Sequence, residues 1–208
     1  MDVQQGYDQW AAQYDTDVNR TRDLEAIALR SMLENIPFEN CLEIGCGTGK
    51  NTGWLSGLAT TLTAVDLSEE MLAKAKEKTF SPNTRFICAD ITKPWEFGSD
   101  EFDLVSFSLV LEHIPDLHTI FGQCARVLKK GGHVYIGELH PFKQYNGSKA
   151  RFETPEGTNH LPCYTHHISE FTGTADKHGF SLSKFNEYFD YDDKGSVPRI
   201  LTIVFRKK

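Results

Sequence analysis

The stretch CLEIGCGTGK, residues 41–50, restricts the fold of this chain more than any other feature. An apolar run is followed at once by three glycines in alternate positions, Gly45, Gly47 and Gly49. Glycine lets a ligand lie close against the main chain because it has no Cβ, and a strand–turn–helix unit directs backbone N–H groups towards that ligand. The next candidate strand ends in Asp66, where a carboxylate can accept hydrogen bonds from ribose hydroxyls. Together these features indicate a ligand that contains a nucleoside.

Strand-like and helix-like patterns alternate through the first two thirds of the chain, which is typical of βαβ units around a mostly parallel sheet. Short apolar runs predict strands over residues 41–45, 62–67, 84–89, 102–108 and 133–139. Amphipathic segments between them predict helices, one of which follows the N-cap candidate in DLSEEMLAKAKEK and another of which ends at the glycines of DLHTIFGQCARVLKKGG. Two strand-like runs near the C terminus predict an antiparallel hairpin at a sheet edge.

The length of the chain suits a single domain over residues 1–208. Two helical patterns precede the first strand, and we expect residues 1–36 to form a helical lid. Residues 140–167 are irregular in pattern and rich in aromatic and histidine side chains. Because long loops in compact domains usually carry function, we expect this segment to be a loop insertion that faces the substrate.

Charge and cysteine usage narrow the class of protein. A net charge of -7 and a pI near 5.6 disfavour a nucleic-acid partner, because gripping a phosphate backbone requires clustered Lys and Arg. The five cysteines are scattered and contain no C-x-x-C pair, which predicts reduced thiols. No run approaches the roughly 20 apolar residues of a membrane span. We therefore expect a cytoplasmic protein that binds neither nucleic acid nor membrane.

Two other nucleotide-binding loops fit the glycines less well. A P-loop requires G-x-x-x-x-G-K-[ST], but here the leading position is Ile44 and the residue after Lys50 is Asn51. A dinucleotide fold requires G-x-G-x-x-G, and Gly49 comes one residue too early for that spacing. An NAD-dependent oxidoreductase is therefore the less favoured alternative.

The spacing that fits is E-x-G-x-G-x-G, which begins at Glu43. It resembles the first motif of class I S-adenosylmethionine-dependent methyltransferases, and Asp66 matches the acidic end of their second strand. Four more segments resemble the family in order, and these are YDQWAAQYD, CADI, FDLVSFSLVLEHIPD and RVLKKGGHVYIGELHP. The first of them is similar to the N-terminal helix of small-molecule methyltransferases of the methyltransferase-11 and ubiquinone-biosynthesis type. The resemblance covers about residues 7–140.

This resemblance implies a Rossmann-like, doubly wound α/β fold with a seven-stranded, mostly parallel sheet, an antiparallel C-terminal hairpin and an N-terminal helical lid. It also implies an enzyme that moves a methyl group from S-adenosyl-L-methionine to an oxygen, nitrogen or carbon atom of a small-molecule acceptor by in-line displacement. The product of the cofactor is then S-adenosyl-L-homocysteine. A catalytically idle module that binds this cofactor and acts through a protein partner is the alternative.

The family's cofactor contacts carry over to the positions that match its motifs. Those positions are Tyr7, Tyr14, Glu43, Gly45, Cys46, Gly47, Gly49, Asp66, Leu67, Asp90, Ile91 and Ser106. The resemblance implies that Asp66 takes the ribose hydroxyls, that Asp90 meets the adenine amino edge and that Ser106 approaches the methionine moiety. Tyr7 and Tyr14 are expected to close over the cofactor from the lid.

A general base is expected to assist the transfer if the acceptor is a hydroxyl. His113 is the first candidate for the catalytic base, because imidazoles titrate near neutral pH and LEHI follows the fourth predicted strand. His140 is the second, because it lies just past the fifth strand, at the edge where open α/β sheets bind ligands. The run HLPCYTHH, residues 160–167, contains four possible metal ligands, but their spacing matches no zinc signature in full. We expect no metal and a loop that shapes the substrate pocket.

Overall fold

Nine strands are defined in the computed structural model, which describes residues 2–154 and 157–208. They are β1 (Asn40–Ile44), β2 (Thr61–Asp66), β3 (Thr84–Cys88), β4 (Phe102–Ser108), β5 (Leu128–Leu139), β6 (Arg151–Thr154), β7 (Gly157–His160), β8 (Phe180–Tyr188) and β9 (Ile200–Lys207). Seven of them form one sheet in the order β3-β2-β1-β4-β5-β9-β8, and β6 pairs with β7 in a separate antiparallel ribbon.

Helices connect and cover the strands. They are α1 (Val3–Trp10), α2 (Arg20–Leu33), α3 (Thr52–Leu58), α4 (Glu69–Lys76), α5 (Leu117–Val127), α6 (Pro141–Tyr145) and α7 (Ile168–Lys177). Side-chain caps begin several of them, because the first backbone N–H groups of a helix have no partner within it. Ser68 is the N-cap of α4, as predicted, and its hydroxyl accepts the Met71 N–H at 3.0 Å. Among the described residues, no helix combines the length and apolar composition that crossing a bilayer requires.

The sheet changes winding direction between β1 and β4. Strands β1 to β3 lie on one side of this point and β4, β5, β9 and β8 on the other. Pairing is parallel from β3 to β5 and antiparallel between β5, β9 and β8. The predicted fold is confirmed: a doubly wound, seven-stranded, mostly parallel sheet with an antiparallel C-terminal hairpin. Folds of this kind bind ligands at the reversal point, outside the carboxyl ends of the strands.

Two apolar layers bury the two faces of the sheet. Successive residues of a strand point to opposite faces, and accordingly Leu104 of β4 joins one layer while Val105 joins the other. Leu29 of α2 packs in the first layer and Phe121 of α5 in the second. All four side chains are 0–1% exposed. Truncating such residues to alanine typically costs about 2–5 kcal/mol, so these layers hold the strand ends in place.

The glycine pair after α5 differs from the prediction. The helix was expected to end at these glycines, but it ends at Val127 and β5 begins at the next residue. Gly131 and Gly132 therefore lie inside the strand, where Gly131 has a φ of +80°. The pairing register with β4 shifts here, because Leu128 pairs with Phe102 and the next paired residue, His133, pairs with Leu104. The glycines thus form an irregularity within β5, and Leu128 stays buried in register with β4.

Residues 140–167 are also more regular than predicted. Helix α6 and the β6–β7 ribbon lie within this segment, in place of one irregular loop. The ribbon contacts α1 through Phe152, which is 3% exposed and stacks on Trp10 with ring centroids 5.4 Å apart. An aromatic pair of this kind stabilises by about 0.5–1.5 kcal/mol beyond its buried area. The insertion and the N-terminal helix thus form one wall above the sheet.

Candidate active site

A cavity of about 370 Å³ opens at the carboxyl ends of β1, β2 and β4, beside the reversal point of the sheet. Small-molecule sites typically have volumes of about 300–1,000 Å³. Helix α1 forms the wall opposite the strands. The predicted cofactor residues found in the lining are Tyr7, Tyr14, Gly45, Gly47, Asp66, Leu67, Asp90 and Ile91, and His113 lines it as well. The fold therefore brings most of the predicted site residues to one cavity, which we call the first cavity.

The glycine loop at the floor of the first cavity requires glycine for two reasons. Gly45 has a φ of +70° and Gly47 a φ of +54°, a region that other residues rarely adopt. A Cβ on Gly45 would also collide with Cγ2 of Val110. The loop can thus keep its backbone at the cavity surface only with glycine at these positions.

Replacing Gly45 by alanine is expected to destabilise the protein by about 3 kcal/mol, because backbone strain and the collision with Val110 act together. Gly57→Ala is a matched control, since Gly57 lies in α3 with no atom within 4 Å of the added Cβ. That control should gain roughly 0.5–1 kcal/mol from helix propensity. Urea unfolding of both variants measures the difference, and equal effects at the two glycines would contradict the prediction.

Asp66 braces the loop and faces the first cavity. Its Oδ2 accepts the Gly47 N–H at 2.7 Å, and its Oδ1 accepts the Ser68 N–H at 2.9 Å. Burial raises the pKa of the Asp66 carboxyl, and the backbone N–H groups act in the opposite direction. A carboxylate has about four lone-pair positions, so two remain for donors on a ligand. This geometry suits a vicinal diol.

Glu43 lies beneath the loop, outside the first cavity. Its Oε2 accepts the Thr52 hydroxyl at 2.7 Å, which ties the end of β1 to the first residue of α3. The side chain is 5% exposed, and burial raises the pKa of Glu43 to about 8. Glu43 therefore supports the loop from below, and the folded state favours its neutral form.

The buried Glu43 should make stability depend on pH. Its folded pKa of about 8 exceeds the ordinary value of 4.5, so its stabilising contribution is complete below about pH 4.5 and is lost as the pH rises towards 8. Glu43→Gln removes this titration. Relative to the native chain, its free energy of unfolding should increase from pH 5 to pH 8 by about 2 kcal/mol or more. Urea unfolding across this range measures it, with the exposed Glu70→Gln as control, and parallel curves would contradict it.

A small cavity of about 40 Å³ adjoins the glycine loop between α2 and α3. It is lined by Arg22 and Asn51, two residues that were not predicted from the sequence. The Nε of Arg22 and the Oδ1 of Asn51 are buried with no hydrogen-bond partner among the described residues. Buried polar atoms normally have partners, so this donor and acceptor indicate a polar ligand group. A signal existed in the sequence: Arg22 falls on the same helical face as Ala26 and Leu29, which are apolar.

Tyr7 and His113 form a hydrogen-bonded pair in the wall of the first cavity. Nδ1 of His113 lies 2.8 Å from the Pro162 carbonyl oxygen, which can only accept, so Nδ1 carries the hydrogen. In that tautomer Nε2 accepts the phenolic hydrogen of Tyr7 at 2.9 Å. Burial raises the pKa of the Tyr7 phenol. The tyrosine therefore keeps its proton unless the imidazole receives it.

A second cavity, of about 480 Å³, meets the first at Tyr7, Tyr14 and Leu109, which line both. Its remaining walls come from residues 10–22, from residues 148–152 at the start of the ribbon, and from Glu112, Leu139 and Arg199. Two ligands can therefore lie side by side with the Tyr7 hydroxyl near their boundary. This arrangement suits a reaction between a nucleoside-containing molecule and a second substrate.

Several predicted site residues lie elsewhere. Gly49 and Cys46 belong to the loop but face away from the first cavity, with Cys46 on the small one. Ser106 is 1% exposed inside β4, and Ser108, two residues on, lines the first cavity instead. His140 is fully buried and lines none of the three cavities described; it accepts the Phe142 N–H at Nδ1 and donates from Nε2 to Glu187 at 2.9 Å. Burial lowers the pKa of His140. These contacts indicate a structural cap for α6.

The possible metal ligands of residues 160–167 do not converge on one point in the described chain. Among its His, Cys, Asp and Glu groups, one set has donor atoms within 4.8 Å of one another, and it consists of Glu112, His113 and Cys163. Both ring nitrogens of His113 already have hydrogen-bond partners. His166, which is 5% exposed, contacts the Ile114 carbonyl and Glu170. Hydrogen bonds within the protein thus occupy the histidines nearest to the site.

Comparisons with known proteins agree with this geometry. Residues 42–136 match the model of a methyltransferase domain family. A ubiquinone biosynthesis O-methyltransferase of Coxiella burnetii (strain Dugway 5J108-111) is 30% identical over 155 residues, which are 69% of this chain and 64% of the relative. The chain thus spans less than two thirds of the length of this relative, and it spans 57% of a relative of the same name from Xanthomonas oryzae pv. oryzae, which is 31% identical.

Solved structures share the fold over nearly the whole chain. The DhpI-SAM-HEP complex is 25% identical with a TM-score of 0.76, and the match covers 96% of this chain and 94% of that one. An S-adenosylmethionine-dependent methyltransferase from Mesorhizobium loti is 21% identical with a TM-score of 0.73, covering 87% of this chain and 96% of the other. The Mesorhizobium protein, at this identity, supports the fold alone.

Proposed function

We propose that this chain, whose residues 42–136 match the model of a methyltransferase domain family, is an S-adenosylmethionine-dependent methyltransferase that acts on a small-molecule acceptor. One observation carries the proposal: two cavities meet at Tyr7, Tyr14 and Leu109, and the first has the glycine loop and Asp66 at its floor. The five thiols are all free, which supports a cytoplasmic location for the enzyme.

The first cavity and the small cavity together offer a partner for each polar part of the cofactor. Asp66 has two free acceptor positions for the ribose hydroxyls. Asp90 and Ile91 line the first cavity beyond Asp66, where the adenine would lie. At the other end, the unpartnered Nε of Arg22 suits the methionine carboxylate, and the unpartnered Oδ1 of Asn51 suits its ammonium group. The residues present therefore fit S-adenosylmethionine.

The cofactor, when bound, supplies an electrophilic methyl group on a sulfonium. The chain's main contribution is to hold the acceptor in line with that methyl and to exclude water. Holding two reactants in a reactive geometry corresponds to about 7–11 kcal/mol of barrier in favourable cases. Helix α1 and the turn after it supply the covering wall, since Tyr7 in the helix and Tyr14 in the turn line both cavities and Trp10 packs against both rings. Positioning is thus the larger part of the proposed catalysis.

The Tyr7–His113 pair supplies a path for the acceptor's proton. The name of the curated relatives, O-methyltransferase, favours an oxygen acceptor. With a hydroxyl acceptor, the oxygen–methyl bond would form as the sulfur–methyl bond of the cofactor breaks, the hydroxyl proton would pass to Tyr7 Oη, and the phenolic proton of Tyr7 would pass to Nε2 of His113. No free tyrosinate is required, which matches the raised pKa of this phenol. His113 then carries the positive charge that the sulfonium loses.

The proposal is tested in two steps on the full chain. Calorimetric titration with S-adenosylhomocysteine and S-adenosylmethionine should show saturable binding, and NADH should bind at least tenfold more weakly. A screen over phenols, carboxylates, amines and thiols should then find acceptors that release S-adenosylhomocysteine. Failure to bind either cofactor form would overturn the proposal. Binding without turnover of any acceptor would instead favour a module that acts through a protein partner.

A further inference from the structure

Cationic side chains are concentrated in the second cavity. Its lining contains five of them, which are Arg20, Arg22, Lys149, Arg151 and Arg199, against the two acids Asp17 and Glu112. The chain as a whole has a net charge of -7, so this excess of three positive groups runs against the general composition. Clefts lined by one sign of charge concentrate ligands of the opposite sign.

The contacts of these cations show which charges are available. Arg199 forms a bidentate ion pair with Asp190, with both hydrogen bonds at 2.6 Å. Arg22 is the proposed partner of the cofactor's carboxylate. Arg20 lies over the Tyr191 ring at 4.5 Å. Neither Lys149 nor Arg151 forms an ion pair with any of the side chains that the structure describes. Among the described side chains, Arg20, Lys149 and Arg151 therefore line the second cavity with no carboxylate within ion-pair distance, and Arg20 acts on Asp190 from further away.

The acids of the cavity do not offset these charges fully. The Asp17 carboxylate accepts the Trp10 indole N–H at 3.0 Å and lies on the exposed turn after α1. Glu112 is 6% exposed, and burial raises the pKa of its carboxyl. The net charge of the residues that line the second cavity is thus positive when no ligand is bound.

The position of the cations tells which end of the acceptor they meet. None of the cationic residues of the second cavity lines the first cavity, within the chain that the structure describes. The boundary between the cavities is formed instead by Tyr7, Tyr14 and Leu109. An acceptor that directs its nucleophilic atom towards Tyr7 therefore places its far end among Arg20, Lys149 and Arg151.

We propose that the methyl acceptor is a small molecule that carries an oxyanion, a carboxylate or a phosphoryl group, at the end remote from the methylated atom. Arg20, Lys149 and Arg151 bind this group, and the aromatic walls formed by Tyr7 and Phe152 contact the body of the molecule. The inference rests on the proposed function, because it assigns the second cavity to the acceptor. Oxyanions form short, charge-assisted hydrogen bonds with such donors, which makes them specificity groups as well as anchors.

Charge-matched probes test this on the full chain saturated with S-adenosylhomocysteine. Benzoate and phenyl phosphate are titrated in calorimetry, with methyl benzoate and benzyl alcohol as their neutral counterparts. We expect at least one anion to bind at least tenfold more tightly than its neutral counterpart and to weaken as salt is raised. The tighter of the two anions identifies the group as a carboxylate or a phosphoryl group. Equal binding of anions and neutral probes, or no binding of either anion, would overturn the inference.

Two double variants test whether the cations of the second cavity bind the anion. Lys149→Gln with Arg151→Gln removes two cavity cations, and Arg30→Gln with Lys130→Gln removes two exposed cations outside the cavities. The cavity variant should weaken the bound anion about tenfold or more, and the control by no more than about twofold. Equal weakening in both would overturn the inference, since the effect would be one of net charge.

S-adenosylhomocysteine affinity separates this inference from the proposed function. It should stay within about twofold of the native value in both double variants, because the four substituted residues lie outside the first and small cavities. A native chain that binds S-adenosylhomocysteine but no anion defeats only the acceptor inference. A native chain that does not bind S-adenosylhomocysteine defeats the proposed function and the inference together.

Discussion

Replacing Asp66 by alanine is expected to lower the affinity for S-adenosylhomocysteine at least about 100-fold. The carboxylate would lose two charge-assisted hydrogen bonds to the ribose, each contributing about 1.5–3 kcal/mol. The Gly47 N–H, now held by Oδ2 at 2.7 Å, would also lose its partner, so the loop beneath the ligand would be less ordered. Isothermal titration calorimetry measures the change directly.

The control for this substitution is Glu70→Ala. Glu70 is an exposed acid four residues further on, in the first turn of α4, so its removal changes the net charge by the same amount. We expect it to alter the affinity less than twofold. Asp66→Asn should give an intermediate loss, because one oxygen acceptor remains. A fully retained affinity in Asp66→Ala would show that this carboxylate does not contact the ligand.

Removing the hydroxyl of Tyr7 is expected to lower kcat about 100-fold or more for a hydroxyl acceptor identified in the screen. General acid–base groups typically contribute about 10²–10⁴-fold, and Tyr7→Phe breaks the path to Nε2 of His113. The phenyl ring and its packing on Trp10 stay, so S-adenosylhomocysteine affinity should change only a few-fold. Steady-state kinetics and calorimetry on the same preparation separate these two effects.

A second tyrosine–histidine pair, Tyr145 and His167, provides a matched control for this test. The Tyr145 hydroxyl contacts Nδ1 of His167 at 2.7 Å, outside the cavities described above. Tyr145→Phe should therefore leave kcat within about twofold of the native value. His113→Gln should reproduce the loss seen in Tyr7→Phe, because both residues belong to one proton path. A native kcat in Tyr7→Phe would remove the pair from the mechanism and leave positioning as the chain's contribution.

The sheet could be predicted because each strand is a short apolar run between clear helix signals. The predicted strand at residues 102–108 matches β4 to the residue. Asp66 could be located for the same reason, since a strand end and a glycine loop together specify one edge of the sheet. Such features depend on residues close together in the sequence, where pattern and capping rules apply.

The structure departs from the expected positions of site residues where burial or distant contacts determine the direction of a side chain. Ser106 was expected to approach the methionine moiety, but it is buried inside β4, and Ser108 on the same face at the strand end lines the first cavity instead. His140 follows a strand end as predicted, yet its ring turns inward to Glu187, 47 residues away in the sequence. Nothing local to His140 indicates that partner.

The second cavity could not be predicted from the sequence, because the residues that line it are far apart in the chain. Its cations come from three distant parts of the chain, and Arg199 reaches Thr21 across 178 positions. In the sequence, Arg20 is one charged residue at the start of an amphipathic helix, and Lys149 and Arg151 are charged residues in an irregular segment. Only the folded arrangement of α2, β6 and the start of β9 gathers them around one volume.

Polar contacts attach the N-terminal segment to the glycine loop and to the region of α4. Asp8 accepts the Ser68 hydroxyl, and Asp15 accepts the Thr48 hydroxyl and pairs with Lys78, so the covering helix is tied to the glycine loop and to α4 by a few polar contacts. Polar contacts of this kind contribute about 0.5–1.5 kcal/mol each. Detachment of α1 from these partners is therefore expected to be reversible and infrequent. In the proposed enzyme, we expect entry of the cofactor and release of its product to require these contacts to break, so the rate at which α1 detaches would set an upper limit on turnover.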